Sequence, residues 1–185
     1  MKTRIYISLM ILLAVPMIYF TSCNKIKSLV AFDVTMQMPT QHFTYSGTLL
    51  KSTEVVLYAG SVNVNLDSIL RAYGFSSGTI QTTTFTTLTI TMESPPDSSF
   101  HWLSSARATI ANNSTATEYQ IGSVTNTDPT SKTLNVTLNN LNIRQYLSQS
   151  SFYLRVYGVL NGPLPAATVG MFLNGTIKMH VSPLG

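Results

Sequence analysis

The chain has 185 residues, room for one domain beside a targeting segment, and its apolar share of 44% is enough for a true core. Charged residues make up only 10%, while 25 Thr and 21 Ser carry most of the polarity; a stiff, β-branched population of this kind suits pleated surfaces and excludes a disordered, highly charged chain. The formal charge of +4 excludes little by itself. Without residues 1–22, which hold Lys2 and Arg4 but no acid, nine basic residues face seven acidic ones, a net of +2 with no basic stripe. Nucleic-acid binding is therefore not expected.

At the N-terminus Lys2 and Arg4 precede an apolar run from Ile5 to Phe20 that contains Pro16. A bilayer span needs about 20 apolar residues, so this shorter, interrupted run reads as a cleaved signal segment. It ends in Phe20-Thr21-Ser22-Cys23, and Cys23 is the only cysteine of the chain. Small residues directly before a cysteine resemble the lipobox of bacterial lipoproteins, although Phe20 stands where that family usually has Leu or Val. The resemblance implies diacylglycerylation of the Cys23 thiol, cleavage before it, and usually acylation of the new N-terminus. Two or three acyl chains hold a protein durably to a membrane, at ~0.8 kcal/mol per buried CH₂. In enterobacterial members an Asp after the cysteine retains the protein in the inner membrane. Asn24 at that place implies outer-membrane delivery, on the periplasmic face rather than the cell surface because "NKIKSL" has no acidic cluster. The expected organisation is a signal peptide over 1–22, a lipidated cysteine and tether over 23–29, and one domain over 30–185.

From Val30 the pattern has period two. "VAFDVTMQM" sets Phe32, Val34, Met36 and Met38 against Asp33, Thr35 and Gln37. "TLTITME" places Leu88, Ile90 and Met92 opposite threonines, and "KTLNVTLNN" alternates Leu134, Val136 and Leu138 with Asn135, Thr137 and Asn139. "SFYLRVYGVL" separates Phe152, Leu154 and Val156 from Tyr153, Arg155 and Tyr157, and the last such run aligns Val169, Met171, Leu173, Ile177, Met179 and Val181. One wet and one dry face is the mark of antiparallel sheets packed face to face. Turn clusters such as "ESPPDSS", "ANNST", "TNTDPTS" and "LNGPLP" separate the runs. The expectation is an all-β antiparallel sandwich, jelly-roll or immunoglobulin-like, with about eight or nine strands and one or two short helical turns. One such turn covers Asn65 to Gly74, with Asp67 expected as its N-cap and Gly74 as its stop. A weaker helical signal lies around Leu141, Ile143, Tyr146 and Leu147.

Chemistry-bearing patterns are sparse. His42, His101 and His180 have no partners at ligand spacing, so neither a metal nor another cofactor is expected. No nucleophile elbow or phosphate-cradling glycine loop occurs. The seven acids, among them Glu54, Glu93, Asp97 and Glu118, show no local pairing of the kind a glycosidase needs, and Glu93 and Asp97 read as loop solvation. "FHWLSSARATI" holds the only tryptophan, with Phe100, Trp102, Ala106, Ala108 and Ile110 on one strand face. Core packing is the expected role of Trp102; a ligand contact by Trp102 and its neighbour His101 is the alternative. "DSI" at Asp67-Ser68-Ile69 resembles an O-glycosylation acceptor of some Gram-negative gut anaerobes, which makes Ser68 a candidate beside the simpler reading of a helix cap.

The function expected from these features is a non-catalytic binding or envelope-assembly module on a lipid anchor. Its partners would be the membrane and one of envelope proteins, fimbrial subunits or glycans. A periplasmic hydrolase or carbohydrate-acting enzyme, whose acids converge only in space, is the alternative.

Overall fold

The computed structural model describes residues 31–47, 52–75, 79–147 and 151–182. Two antiparallel five-stranded sheets pack face to face, so the fold is an all-β sandwich. In chain order come β1 (Phe32–Gln37), β2 (Gln41–Tyr45), β3 (Glu54–Asn63), α1 (Leu66–Ala72) and β4 (Ile80–Ser94). A 3₁₀ turn (Phe100–Trp102) leads into β5 (Leu103–Ala111), followed by β6 (Tyr119–Thr125), β7 (Thr133–Asn135) and β8 (Thr137–Leu138). The chain closes with α2 (Arg144–Leu147), β9 (Ser151–Leu160) and β10 (Val169–Val181).

The first sheet runs β1-β10-β4-β7. β10 is long enough to pair with β1 over Thr176–Val181 and with β2 over Val169–Leu173, end to end along one edge, while β4 takes the other. The second sheet runs β3-β9-β5-β6-β8. Its order joins strands far apart in the chain, which local pattern cannot specify.

The dry faces meet as the alternation requires. Val34, Met36, Leu88, Ile90, Leu173, Ile177 and Met179 from the first sheet and Leu57, Val62, Ala108, Ile110, Leu154 and Val156 from the second are all buried. Full burial of such a side chain contributes roughly 1.5–3 kcal/mol. Phe85 on β4 and Phe152 on β9 meet edge to face across the layers, ring centres 6.1 Å apart. On β4 the phase slips: Thr83 and Phe85 point inward, then Leu88, Ile90 and Met92. A bulge opposite Thr176 and Ile177 absorbs the extra residue and leaves both Thr86 and Thr87 outside.

Threonine is used on the outer face of the first sheet. Thr87 donates to the Thr176 hydroxyl at 2.8 Å, Thr176 donates to Gln37 Oε1 at 3.1 Å, and Thr91 and Thr133 pair at 3.3 Å. These cross-strand contacts satisfy hydroxyls without charge, consistent with a chain so poor in ionic residues.

Three local expectations change. The segment 133–138 is not one strand: Thr133–Asn135 pairs with β4 in the first sheet, whereas Thr137–Leu138 pairs with β6 in the second. Val136 is the corner, buried between the layers, and its N–H bonds the Leu88 carbonyl at 2.9 Å. This division helps raise the count to ten strands. The N-cap of α1 is Asn65 rather than Asp67, because Asn65 Oδ1 accepts the Ser68 N–H at 3.2 Å; Asp67 lies two residues further on, in the first turn, where a negative charge suits the positive helix end. Gly74 does follow the helix, in the left-handed region at φ +81°. Finally, Phe100, His101 and Trp102 form a 3₁₀ turn, not the start of a strand. Asn126 holds that turn to β5 by donating through Nδ2 to the carbonyls of Phe100 (2.8 Å) and Leu103 (2.9 Å).

The sandwich has two distinct ends. One carries Phe32 at the start of β1, beside Val181, Ile80 and α1; Phe32 packs its ring on Phe75 and Tyr73 at 5.0 and 6.0 Å. The other carries Ser94, Val169, Tyr45 and Trp102, with Tyr45 and Trp102 stacked at 6.3 Å.

Candidate functional site

The outer face of the second sheet concentrates charge in a chain that has little. Alternation on β9 points Tyr153, Arg155, Tyr157 and Val159 outward, because Phe152, Leu154, Val156 and Leu160 fill the core. Register then sets Arg107 of β5 directly opposite Tyr157, Thr109 opposite Arg155, and Ser105 opposite Val159. Glu54 of β3 flanks Val159 on the other side, and Ser123 of β6 flanks Arg107.

Two ionic clusters result. Arg107 grips Glu54 through a fork, Nε to Oε1 at 2.6 Å and Nη2 to Oε2 at 2.7 Å, and its guanidinium carbon lies 3.9 Å from the centre of the Tyr157 ring. Glu118, which precedes β6, accepts from Thr109 (2.6 Å), from the Tyr157 hydroxyl (2.9 Å to each oxygen) and from Arg155 Nη1. Arg155 in turn covers the Tyr153 ring at 4.8 Å. Tyr157 thus joins both clusters, its ring to one and its hydroxyl to the other.

The protonation states follow. The bond from Arg107 holds Glu54 below the usual carboxylate range, against a smaller push from burial. Burial pushes Glu118 up most strongly of any single influence, but the hydrogen bonds of Thr109 and Tyr157 and the charge of Arg155 together outweigh it, and its carboxyl also sits low. Burial, then the Glu118 contact, raises the Tyr157 phenol. Both acids are held as carboxylates, so neither is poised to give a proton as the general acid of a glycosidase pair must.

Beside Arg107 the small residues Ser105 and Ser123 leave a cavity of about 310 Å³. Glu54, Arg107, Gln120, Thr125, Tyr157 and Val159 complete its wall. It lies in the half of the sheet near Trp102, because Ser105 and Glu54 both register with Val159, next to Leu160 and Leu103. Phe32 is at the opposite end.

Of the candidate site residues, Trp102, His101 and Ser68 do not line this cavity. Trp102 is fully buried at 0% exposure between Phe100 and Tyr45, so it presents no platform to a ligand. His101 is exposed on the 3₁₀ turn near Ser99, and Ser68 is exposed in the first turn of α1. Cys23 lies outside the described residues. Of the other acids, Glu93 is on β4 and contacts His42 Nδ1 at 3.1 Å, not in a loop, and Asp33 pairs with Lys178 (2.7 Å) and His180 (3.0 Å). Among the described residues no three of His, Cys, Asp and Glu gather as metal ligands would. What the sequence did offer was the wet stripe Tyr153-Arg155-Tyr157, an arginine between two tyrosines on one strand face. Arg107, Glu54 and Glu118 come from three other segments and had no local signal.

No protein-family model and no curated protein matches the chain. Among solved structures it is similar to the VP2 subviral particle protein of infectious bursal disease virus, at 10% identity and TM-score 0.34, over 83% of this chain and 33% of that one. The chain therefore spans about a third of that protein's length. It is also similar to the mud crab tombus-like virus structure (10% identity, TM-score 0.36, 83% and 90% coverage). A third is the family 32 CBM from C. perfringens NanJ in complex with galactose (11% identity, TM-score 0.36, 77% and 99% coverage). Likeness at this level carries nothing about what this chain binds.

Proposed function

We propose that this protein is a lipid-anchored, non-catalytic binding module of the outer membrane, facing the periplasm, and that the outer face of the second sheet is its recognition surface. The observation that carries this reading is the polar cavity beside Arg107, sited at the end of the sandwich opposite Phe32. From Cys23 to Phe32 the chain can span at most about 30 Å, so a lipid on Cys23 would keep the Phe32 end near the bilayer and leave the cavity turned away from it. The paired, ionised state of Glu54 and Glu118 supports binding over catalysis. Exposed Ser68 belongs to the same proposal as a glycosylation site, read as a mass shift lost in Ser68→Ala.

Palmitate labelling tests the anchor. The wild-type protein should take up label and partition with membranes, and Cys23→Ser should do neither; a wild-type product that is unlabelled and water-soluble overturns it. The surface is tested separately by a photo-crosslinking side chain placed at Ser123 or, as control, at Thr35 on the other sheet. Adducts in intact envelopes at 123 and not at 35 support the assignment, and equal or absent adducts overturn it.

A further inference from the structure

We infer that the cavity beside Arg107 takes a neutral sugar unit of a glycan; this rests on the reading of the second sheet as the recognition surface. Charge decides the class of ligand. Arg107 already spends Nε and Nη2 on Glu54, and Arg155 is bound by Glu118, so the face holds two cations and two anions in matched pairs. A phosphate or carboxylate would gain one arginine but meet the Glu54 carboxylate at the same wall, and a cationic ligand would meet Arg107. A neutral ligand incurs neither repulsion.

The wall is also hydroxyl-matched. Ser105, Ser123 and Thr125 offer hydroxyls that both donate and accept, Gln120 offers an amide, and the Arg107–Glu54 fork offers free donors beside carboxylate lone pairs. Adjacent donor and acceptor groups of this kind suit vicinal hydroxyls, each of which must give one hydrogen bond and accept others. Apolar contact comes from Val159 and Tyr157. That apolar surface, nearly half of the wall, fits the C–H face of a pyranose whose hydroxyls meet the polar half. A volume of about 310 Å³ lies at the lower end of small-molecule sites and suits one or two sugar units.

The ion pairs serve this role by arriving pre-formed. Arg107 is fixed by Glu54 on one side and the Tyr157 ring on the other, so its remaining N–H groups are oriented before a ligand arrives, and little side-chain entropy is lost on binding.

The test uses full-length protein in a zwitterionic, sugar-free detergent on an array of neutral oligosaccharides and of uronate- and sialate-containing ones. Neutral glycans should be retained; Ser123→Tyr, which fills the cavity from an exposed position, should weaken retention at least tenfold, and Thr35→Tyr should not. Thermal melts confirm that both variants fold. Retention of acidic glycans alone, lost in Ser123→Tyr, overturns the neutral class while the recognition surface stands. Retention indifferent to Ser123→Tyr overturns the site. If no glycan is retained while crosslinks still form at 123, the sugar inference fails and the surface assignment survives.

Discussion

Arg107 and Tyr157 face each other across β5 and β9, the guanidinium carbon 3.9 Å from the ring centre. Nothing else in the described structure brings so much polar chemistry together. The arginine ties Glu54 of an edge strand to the sheet centre, and the tyrosine passes the link on to Glu118, so four segments converge on one face.

The pair itself should be energetically modest. Arg107 and Glu54 keep 32% and 41% of their side chains in solvent, so screening limits the ion pair. A double-mutant cycle of Arg107→Ala with Tyr157→Leu should give a coupling of about 0.5–1 kcal/mol from denaturant melts. A coupling near zero would show that the two merely lie side by side.

Glu118 should set an acid limb to stability. Its carboxyl is held low in the folded protein and returns to the ordinary value, about 4.3, on unfolding. The stabilisation is therefore complete above that ordinary value and is lost as pH falls through the lower folded one. Wild-type melting temperature should drop more steeply than that of Glu118→Gln between pH 5 and pH 3. Parallel curves would remove Glu118 as a source of the slope. At pH 7 the same variant should lose roughly 1–3 kcal/mol, since it leaves the part-buried Arg155 without its counter-charge.

Trp102 fills the core at the end remote from Phe32, with no exposed surface. Trp102→Ala should cost about 3–5 kcal/mol, as large-to-small core substitutions do. Trp102→Phe should cost much less, because a phenyl ring keeps most of the buried volume and the indole N–H it gives up is buried without a hydrogen-bond partner. Calorimetry on the two variants checks the order; equal losses would mean that ring volume is not what Trp102 supplies to the core.

Gly122 lets β8 approach β6. A Cβ at this position would lie 2.5 Å from the Thr137 carbonyl oxygen and 2.8 Å from Val136 Cγ1. The first contact is backbone and cannot swing aside, so Gly122→Ala should cost about 1–3 kcal/mol and speed amide exchange in β8. By contrast Gly74→Ala meets open space, and its cost should come from the positive φ alone. Comparable exchange rates in wild type and Gly122→Ala would refute the close-approach account.

Period-two alternation in the sequence was sufficient to determine the class of fold and most of the core. Val34, Leu88, Ile90, Leu154, Val156, Ile177 and Met179 are buried where their strands required, because a side chain's face on a strand depends only on its parity. Parity also put Tyr153, Arg155 and Tyr157 on the wet side. It could not show the slip at Thr86–Thr87, the corner at Val136 or the 3₁₀ turn at Trp102, each of which depends on how one strand meets another. Nor could it show which wet face Arg107 would share. Glu54, Arg107, Glu118 and Tyr157 become neighbours only through the order β3-β9-β5-β6, and that order is chosen by the fit of both dry faces at once, over separations no local window spans. The sequence determined the faces; the packing of the two sheets decided which residues meet on them.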